Sequence, residues 1–327
     1  MISLVLISSS LYGQTGIEPQ DIRRAGQAGW QFLKINGDPV QASMGGAYTA
    51  ISRGNANAVF GNPASLVDVK NNDLQFNTVS WIADIKHSSA AVARHFRQIG
   101  VFAVSVAYMD YGDIPETINQ LNSIGDRTQA VITGNYFSAY DVAIGVSYAR
   151  NITDRLSLGA SVRWIRESIA ELDMNNWSLD IGTMYYTGFK TLRLAIVARN
   201  FGPDSHLLGW SEEYQSEPVD VRMPIDLRLG IAMDFFDGID SPHRMTAVLE
   251  GDHPNDGTEK IHLGLDYSFL NMFTLRSGYR FNYDVQGLTF GLGFLYAINQ
   301  YQGQMNYAYV DFGDLKQVHM VSLGFSF

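Results

Sequence analysis

From about residue 74 to residue 327 the chain repeats one pattern: stretches of about ten residues with an apolar side chain at every second position, separated by turn-rich connectors. Period two is the period of a strand with two unlike faces. Leu227, Leu229, Ile231 and Met233 alternate with Asp226, Arg228, Gly230 and Ala232, and Ile261, Leu263, Leu265 and Tyr267 with Lys260, His262, Gly264 and Asp266. Leu288, Phe290, Leu292, Phe294 and Tyr296 alternate with Thr289, Gly291 and Gly293. The template predicts about fourteen strands, beginning near Leu74, Ser88, Val101, Phe137, Leu156, Trp177, Leu192, Asp226, Arg244, Lys260, Phe273, Leu288, Gln304 and Met320. An even count lets a meander close on itself with both chain ends on one side.

The second face decides what surrounds such a sheet. A soluble sandwich hides its apolar face and wets the other with Lys, Glu and Thr; here the other face is Gly, Ala, Ser and Thr with scattered charges. Small residues and occasional charges suit the lumen of a closed cylinder, with the apolar face turned to hydrocarbon. No stretch approaches the roughly 18 to 20 apolar residues of a membrane helix, so any membrane crossing uses strands. Tyr and Trp fall toward segment ends, at Trp81, Tyr108, Tyr140, Tyr148, Trp164, Tyr185, Tyr279 and Tyr296, where amphipathic rings can sit at headgroup level. Connector lengths alternate between short ones, such as 97–99, 151–155 and 270–272, and long polar ones at 111–136 and 201–223, the asymmetry of periplasmic turns and external loops.

Composition removes several classes. There is no cysteine, which excludes disulfide scaffolds and cysteine nucleophiles, and the net charge of −10 without a basic block makes nucleic acid an improbable partner. At 46% hydrophobic and 12% aromatic residues the chain has ample material for an ordered fold. Residues 1–13 read as an export signal, an apolar run without a preceding Lys or Arg. The chain stops on Phe327, two and four residues after Phe325 and Leu323, and a terminal aromatic on the last amphipathic strand resembles the assembly signal of bacterial outer-membrane barrels.

Residues 14–73 lack the strand pattern. Gly29, Trp30, Gln31, Phe32 and Leu33 are followed by Met44, Gly45, Gly46, Ala47, Tyr48, Thr49 and Ala50, then by Asn62, Pro63 and Ala64. Small-residue backbone with a turn at Asn62-Pro63 fits a plug packed inside the barrel formed by 74–327. These three ordered motifs resemble the amino-terminal signature of the PorV/PorQ family, which is related to the FadL-type transporters. The resemblance implies a fourteen-stranded FadL-like barrel with an amino-terminal plug. It also implies a role in type IX secretion, with secreted cargo proteins and other secretion components as partners. The alternative is a FadL-like conduit for small hydrophobic molecules, and a third reading is a structural barrel. All three place the chain in outer-membrane lipid.

No phosphate loop, zinc-protease motif or nucleophile elbow occurs, so no catalytic residue and no cofactor are expected. The seven His lack metal-ligand spacing, and Asp252, His253, Asp256 and Glu259 read as a solvated acidic loop. On the inward face the pattern places Arg163, Asp180, Arg193, Arg199, Arg228, Glu250, Asp266, Arg276 and Arg280. Charges in a confined lumen need partners. Six Arg against three carboxylates is no single-sign filter, and the expectation is a mixed network that holds the plug.

Overall fold

A computed structural model describes residues 26–121, 128–170, 172–206, 220–236, 238 and 241–327. The proposed signal at 1–13 lies outside them. Fourteen antiparallel strands form one closed barrel: β1 Asn72–Ser80, β2 Lys86–Phe96, β3 Gly100–Leu121, β4 Thr128–Asn151, β5 Leu156–Ile169, β6 Leu172–Tyr186, β7 Arg193–Phe201, β8 Asp226–Phe235, β9 His243–Pro254, β10 Lys260–Phe269, β11 Phe273–Phe281, β12 Leu288–Ile298, β13 Tyr301–Asp311 and β14 Gln317–Ser326. Each strand pairs with its sequence neighbours, and β14 closes on β1 with Asp73 opposite Ser326 and Ser80 opposite His319. Closure leaves no unpaired edge, which a sheet in hydrocarbon requires. Phe327 completes the seam, its backbone N–H and C=O both bonded at 3.0 Å to Asn72, and its ring lies outside, stacked on Phe325.

The apolar phase points out. Leu229, Leu263, Phe290 and Leu323 are 41 to 55% exposed, whereas Arg228, His262, Thr289 and Ser322 beside them are buried. A side chain that is apolar, uncovered by protein and part of a continuous band around the barrel belongs against lipid. The barrel therefore sits in a bacterial outer membrane. Tyr108, Trp164, Trp177, Tyr185, Tyr279 and Tyr296 lie on this outer surface. Trp81 does not: its ring packs edge-to-face on Phe312 inside the rim, with centroids 5.0 Å apart, so it belongs to the interior instead of the girdle.

The connectors after β2, β4, β6, β10 and β12 are short, and those after β3, β7 and β9 lie at the opposite, external end together with the β5–β6 turn. The expected loop at 111–136 is mostly strand. β3 pairs with β2 only as far as Asp110, and β4 with β5 only from Ala139, so 111–121 and 128–138 continue outward as a two-stranded ribbon, broken by register shifts after Asp110 and Pro115. Period-two reading missed it because a ribbon wet on both faces has no apolar phase. In the 201–223 connector, Ser205–His206 pairs with Asp220–Val221 as a short separate sheet.

The segment ahead of β1 runs through the barrel. Trp30 packs with Met109, Ile165 and Met223 near the external end, helix α1 (Pro39–Ser43) lies against β11 to β14, and the turns at Ala56–Phe60 and Pro63–Asp68 reach β1 to β6. It has no surface of its own to spare: Ala42, Met44, Ala47, Ala50, Ala56, Ala64 and Leu66 are fully buried.

Candidate functional site

The amino-terminal turn of this segment shapes a cavity at the external rim. The Gly29 N–H donates to Arg222 O at 3.0 Å, and a side chain at Gly29 would run into Val221, so the segment is held against the short outer sheet. Trp30 follows in the left-handed region at φ 54°, an unfavourable conformation for a bulky residue that the surroundings must hold in place. A single turn, Gln31–Lys34, is then pinned by Asp256, which accepts from Gln31 at 2.7 Å and Lys34 Nζ at 2.6 Å. Asp256 thus serves the inner segment, although the sequence placed it in a solvated loop.

Between this turn, the base of the ribbon and the β5–β6 hairpin lies a cavity of about 430 Å³. Its walls are Trp30, Phe32, Tyr111, Ile114, Ala139, Ile169, Leu172 and Met174, with Asp141 and Glu167 among them. Asp141 is nearly inaccessible and accepts a 2.5 Å bond from the Tyr111 hydroxyl. The sequence reading passed over both carboxylates. Each is in phase with an inward series, Asp141 with Ala143 and Gly145, Glu167 with Arg163 and Ile165, and that phase was the available signal.

Further in, a polar chamber of about 280 Å³ is lined by Lys34, Arg199, Arg228, Lys260 and Arg280 with Asp252, His262 and Tyr283. Lys260 Nζ sits 4.4 Å from the centre of the Tyr283 ring, in cation–π range. Burial pushes the Tyr283 phenol up to about 12, so it stays neutral.

The structure places all nine expected lumen charges on the inner face, eight of them buried and Arg280 partly so. Four grip the inner segment directly. Glu250 Oε2 accepts the backbone N–H groups of Tyr48 and Thr49, both at 2.8 Å; Arg193 Nε donates to Ala50 O at 2.9 Å; Arg280 Nε donates to Gly45 O at 3.1 Å; and Asp266 pairs with Arg53. The others bind wall to wall: Arg276 Nε to Asp266 at 2.7 Å, Arg163 to Asp180 at 2.5 Å with Arg199 3.9 Å away, and Arg228 to Asp226 at 2.6 Å and Glu250 at 3.4 Å. Asp226, Asp234 and Asp252 complete the charge balance and were absent from the sequence list; Asp234 takes both guanidinium arms of Arg193, at 2.7 and 3.0 Å.

The residues around Met44–Gly46 and Asn62–Ala64 make close backbone contacts. Gly45 and Gly46 adopt φ of 69° and 95°, Met44 is fully buried, and the Gly45 N–H donates to Thr289 Oγ1 at 2.9 Å. Asn62 caps the turn that Pro63 opens, accepting from Ala64 N at 2.9 Å, and its amide donates to Thr49 O at 2.8 Å and Thr183 O at 3.0 Å. Among the described residues no cluster of His, Asp or Glu is arranged to hold a metal ion.

The chain matches no sequence-family model and no curated protein sequence. By fold it is similar to a monoaromatic hydrocarbon channel, CymD, at 14% identity over 88% of this chain and 97% of that one, with a TM-score of 0.56. It is equally similar to the Pseudomonas putida toluene transporter TodX, at 12% identity over 89% and 98% with a TM-score of 0.57. A Pseudomonas aeruginosa FadL homologue aligns over the same shares at 9% identity with a TM-score of 0.55. The class is therefore a fourteen-stranded outer-membrane barrel of the FadL-like fold. At these identities the likeness defines architecture, and the neighbours are channels and transporters rather than enzymes.

Proposed function

We propose that this barrel carries small, largely apolar molecules across the outer membrane, receiving them in the rim cavity while the segment ahead of β1 acts as the plug that keeps the lumen shut to bulk solutes. One observation carries the reading: the rim holds a mostly apolar cavity of about 430 Å³, the size range of small-molecule sites, directly above a lumen filled by polypeptide. The titles of the fold neighbours, hydrocarbon channel and toluene transporter, agree with it. The cavity is also the feature expected of the conduit reading over protein docking.

The test is uptake of a labelled monoaromatic hydrocarbon by cells whose own copy is deleted. The native chain restores uptake, and Ala139→Trp, which fills the cavity from β4, returns it to the level of the deletion. Native uptake equal to that of the deletion, or full uptake by the filled variant, rejects the reading.

The docking reading, with type IX cargo as partner, keeps one specific observation in its favour: the projecting ribbon displays Ile118, Leu121, Ile132 and Tyr136, each at least half exposed. Removing residues 117–132, which spares the cavity wall at Ile114, separates the two, since it abolishes secretion of signal-bearing cargo under docking and leaves hydrocarbon uptake intact under conduction.

A further inference from the structure

The mostly apolar rim cavity carries two carboxylates side by side. Asp141 on β4 and Glu167 on β5 are cross-strand partners in register, both on the inward phase. Directly opposed side chains have Cβ atoms about 5 Å apart, and like charges there destabilise the pair of strands. The Tyr111 hydroxyl donates to Asp141 and the Trp30 backbone N–H to Glu167, but among the described residues no Lys or Arg is ion-paired with either, and none lines the cavity. Elsewhere on the inner wall Asp180, Asp226, Asp234, Glu250 and Asp266 each have an arginine, and Asp73 is met by Ala56 N, Gln75 and Ser326. A neutral apolar ligand leaves the two carboxylates without a counter-charge, and an apolar ligand that also carries a cation supplies it.

We propose that the cavity takes an aryl-alkyl ammonium, its charged nitrogen between Asp141 and Glu167 and its apolar body against Trp30, Phe32 and Tyr111. This rests on the rim cavity being a binding site and names the chemistry of its ligand. Aromatic faces and carboxylates are the two groups that attract a partly desolvated organic cation. The polar chamber beyond has Lys34, Arg199, Arg228, Lys260 and Arg280 on its walls, so the carboxylates that favour a cation lie at the rim.

Binding of 2-phenylethylammonium, 2-phenylethanol and phenylacetate to the full-length barrel in nanodiscs tests this, since the three share size and ring and differ in charge. The ammonium binds roughly tenfold tighter than the alcohol, and phenylacetate binds weakest. In the D141N/E167Q double variant the ammonium loses its tenfold advantage over the alcohol. Removing opposed like charges spares the strand pairing, and the D141N single variant, at an intermediate preference, serves as the second measurement. Equal affinities for ammonium and alcohol in the native protein, or a preference that survives the double variant, overturn the proposal and leave the cavity reading standing. Failure of all three probes to bind overturns both.

Discussion

Glu250→Ala should release the middle of the inner segment without opening the barrel wall. The Glu250 carboxylate is wholly inaccessible; one oxygen accepts the Tyr48 and Thr49 N–H groups at 2.8 Å, and the other receives Arg228 at 3.4 Å. Truncation orphans two buried backbone donors at about 1–3 kcal/mol each. Arg228 keeps Asp226 at 2.6 Å and Asp252 at 3.6 Å, so its charge stays paired and adds little. The polar chamber borders Arg228, and water reaching the vacated space recovers part of the loss. The net expectation is about 3 kcal/mol, which corresponds to roughly a hundredfold increase in local opening. Hydrogen exchange by mass spectrometry reads this directly: the peptide covering 44–51 should lose about two decades of protection while β9 and β10 keep theirs. Protection of 44–51 within about threefold of the native value would refute the view that this carboxylate anchors the segment.

Gly278→Val probes the same contact from the wall. A side chain at Gly278 would overlap the Met44–Gly45 backbone, yet valine suits a strand. The barrel should retain its heat-modifiable band on gels while the segment becomes accessible to protease; a variant as resistant as the native protein would contradict the packing. Asp38, in the inner segment, has its carboxyl raised to about 6, chiefly by burial, against the bond it accepts from Val40 N. The seated segment therefore binds a proton more tightly than the released one. Its stability contribution is present in full below the ordinary carboxylate range and is lost as pH rises through about 6. Protection of 38–43 should increase from about pH 7.5 to 5, and Asp38→Asn should remove the dependence; a native profile flat with pH would discount the buried carboxyl.

The barrel was legible because lipid imposes a pattern on single residues. Every strand from β7 onward begins within a few residues of where alternation places it, since Leu229 or Phe290 has to face hydrocarbon and its neighbours cannot. β4 begins earlier than Phe137 and β6 earlier than Trp177, because beyond the membrane both faces meet water and alternation has no cause. The nine lumen charges followed from phase, but their partners did not: that Arg193 finds Asp234 and Ala50 depends on strand register and on a segment some 140 residues away in sequence. The rim cavity was illegible for the same reason, since it joins Trp30 to β3, β4, β5 and β6.

The inner glycines explain why a small-residue inner segment and a small-residue wall occur together. A fourteen-stranded cylinder is too wide for its own side chains to fill. This one is filled with backbone: Gly159 and Gly182 face Pro63 and Asn62, Gly230 faces Ala50, Gly264 and Gly278 face Met44 and Gly45, and Gly291 faces Ser43. At each of these places a side chain on the wall would displace the segment, so wall and plug are specified by the same residues. Among the described residues the filling ends near Trp30, where the segment reaches the rim, and the cavity there is bounded by Tyr111, Asp141, Glu167 and Met174. Chemistry at the rim can therefore change without disturbing the hydrogen-bonded cylinder or the polypeptide packed below.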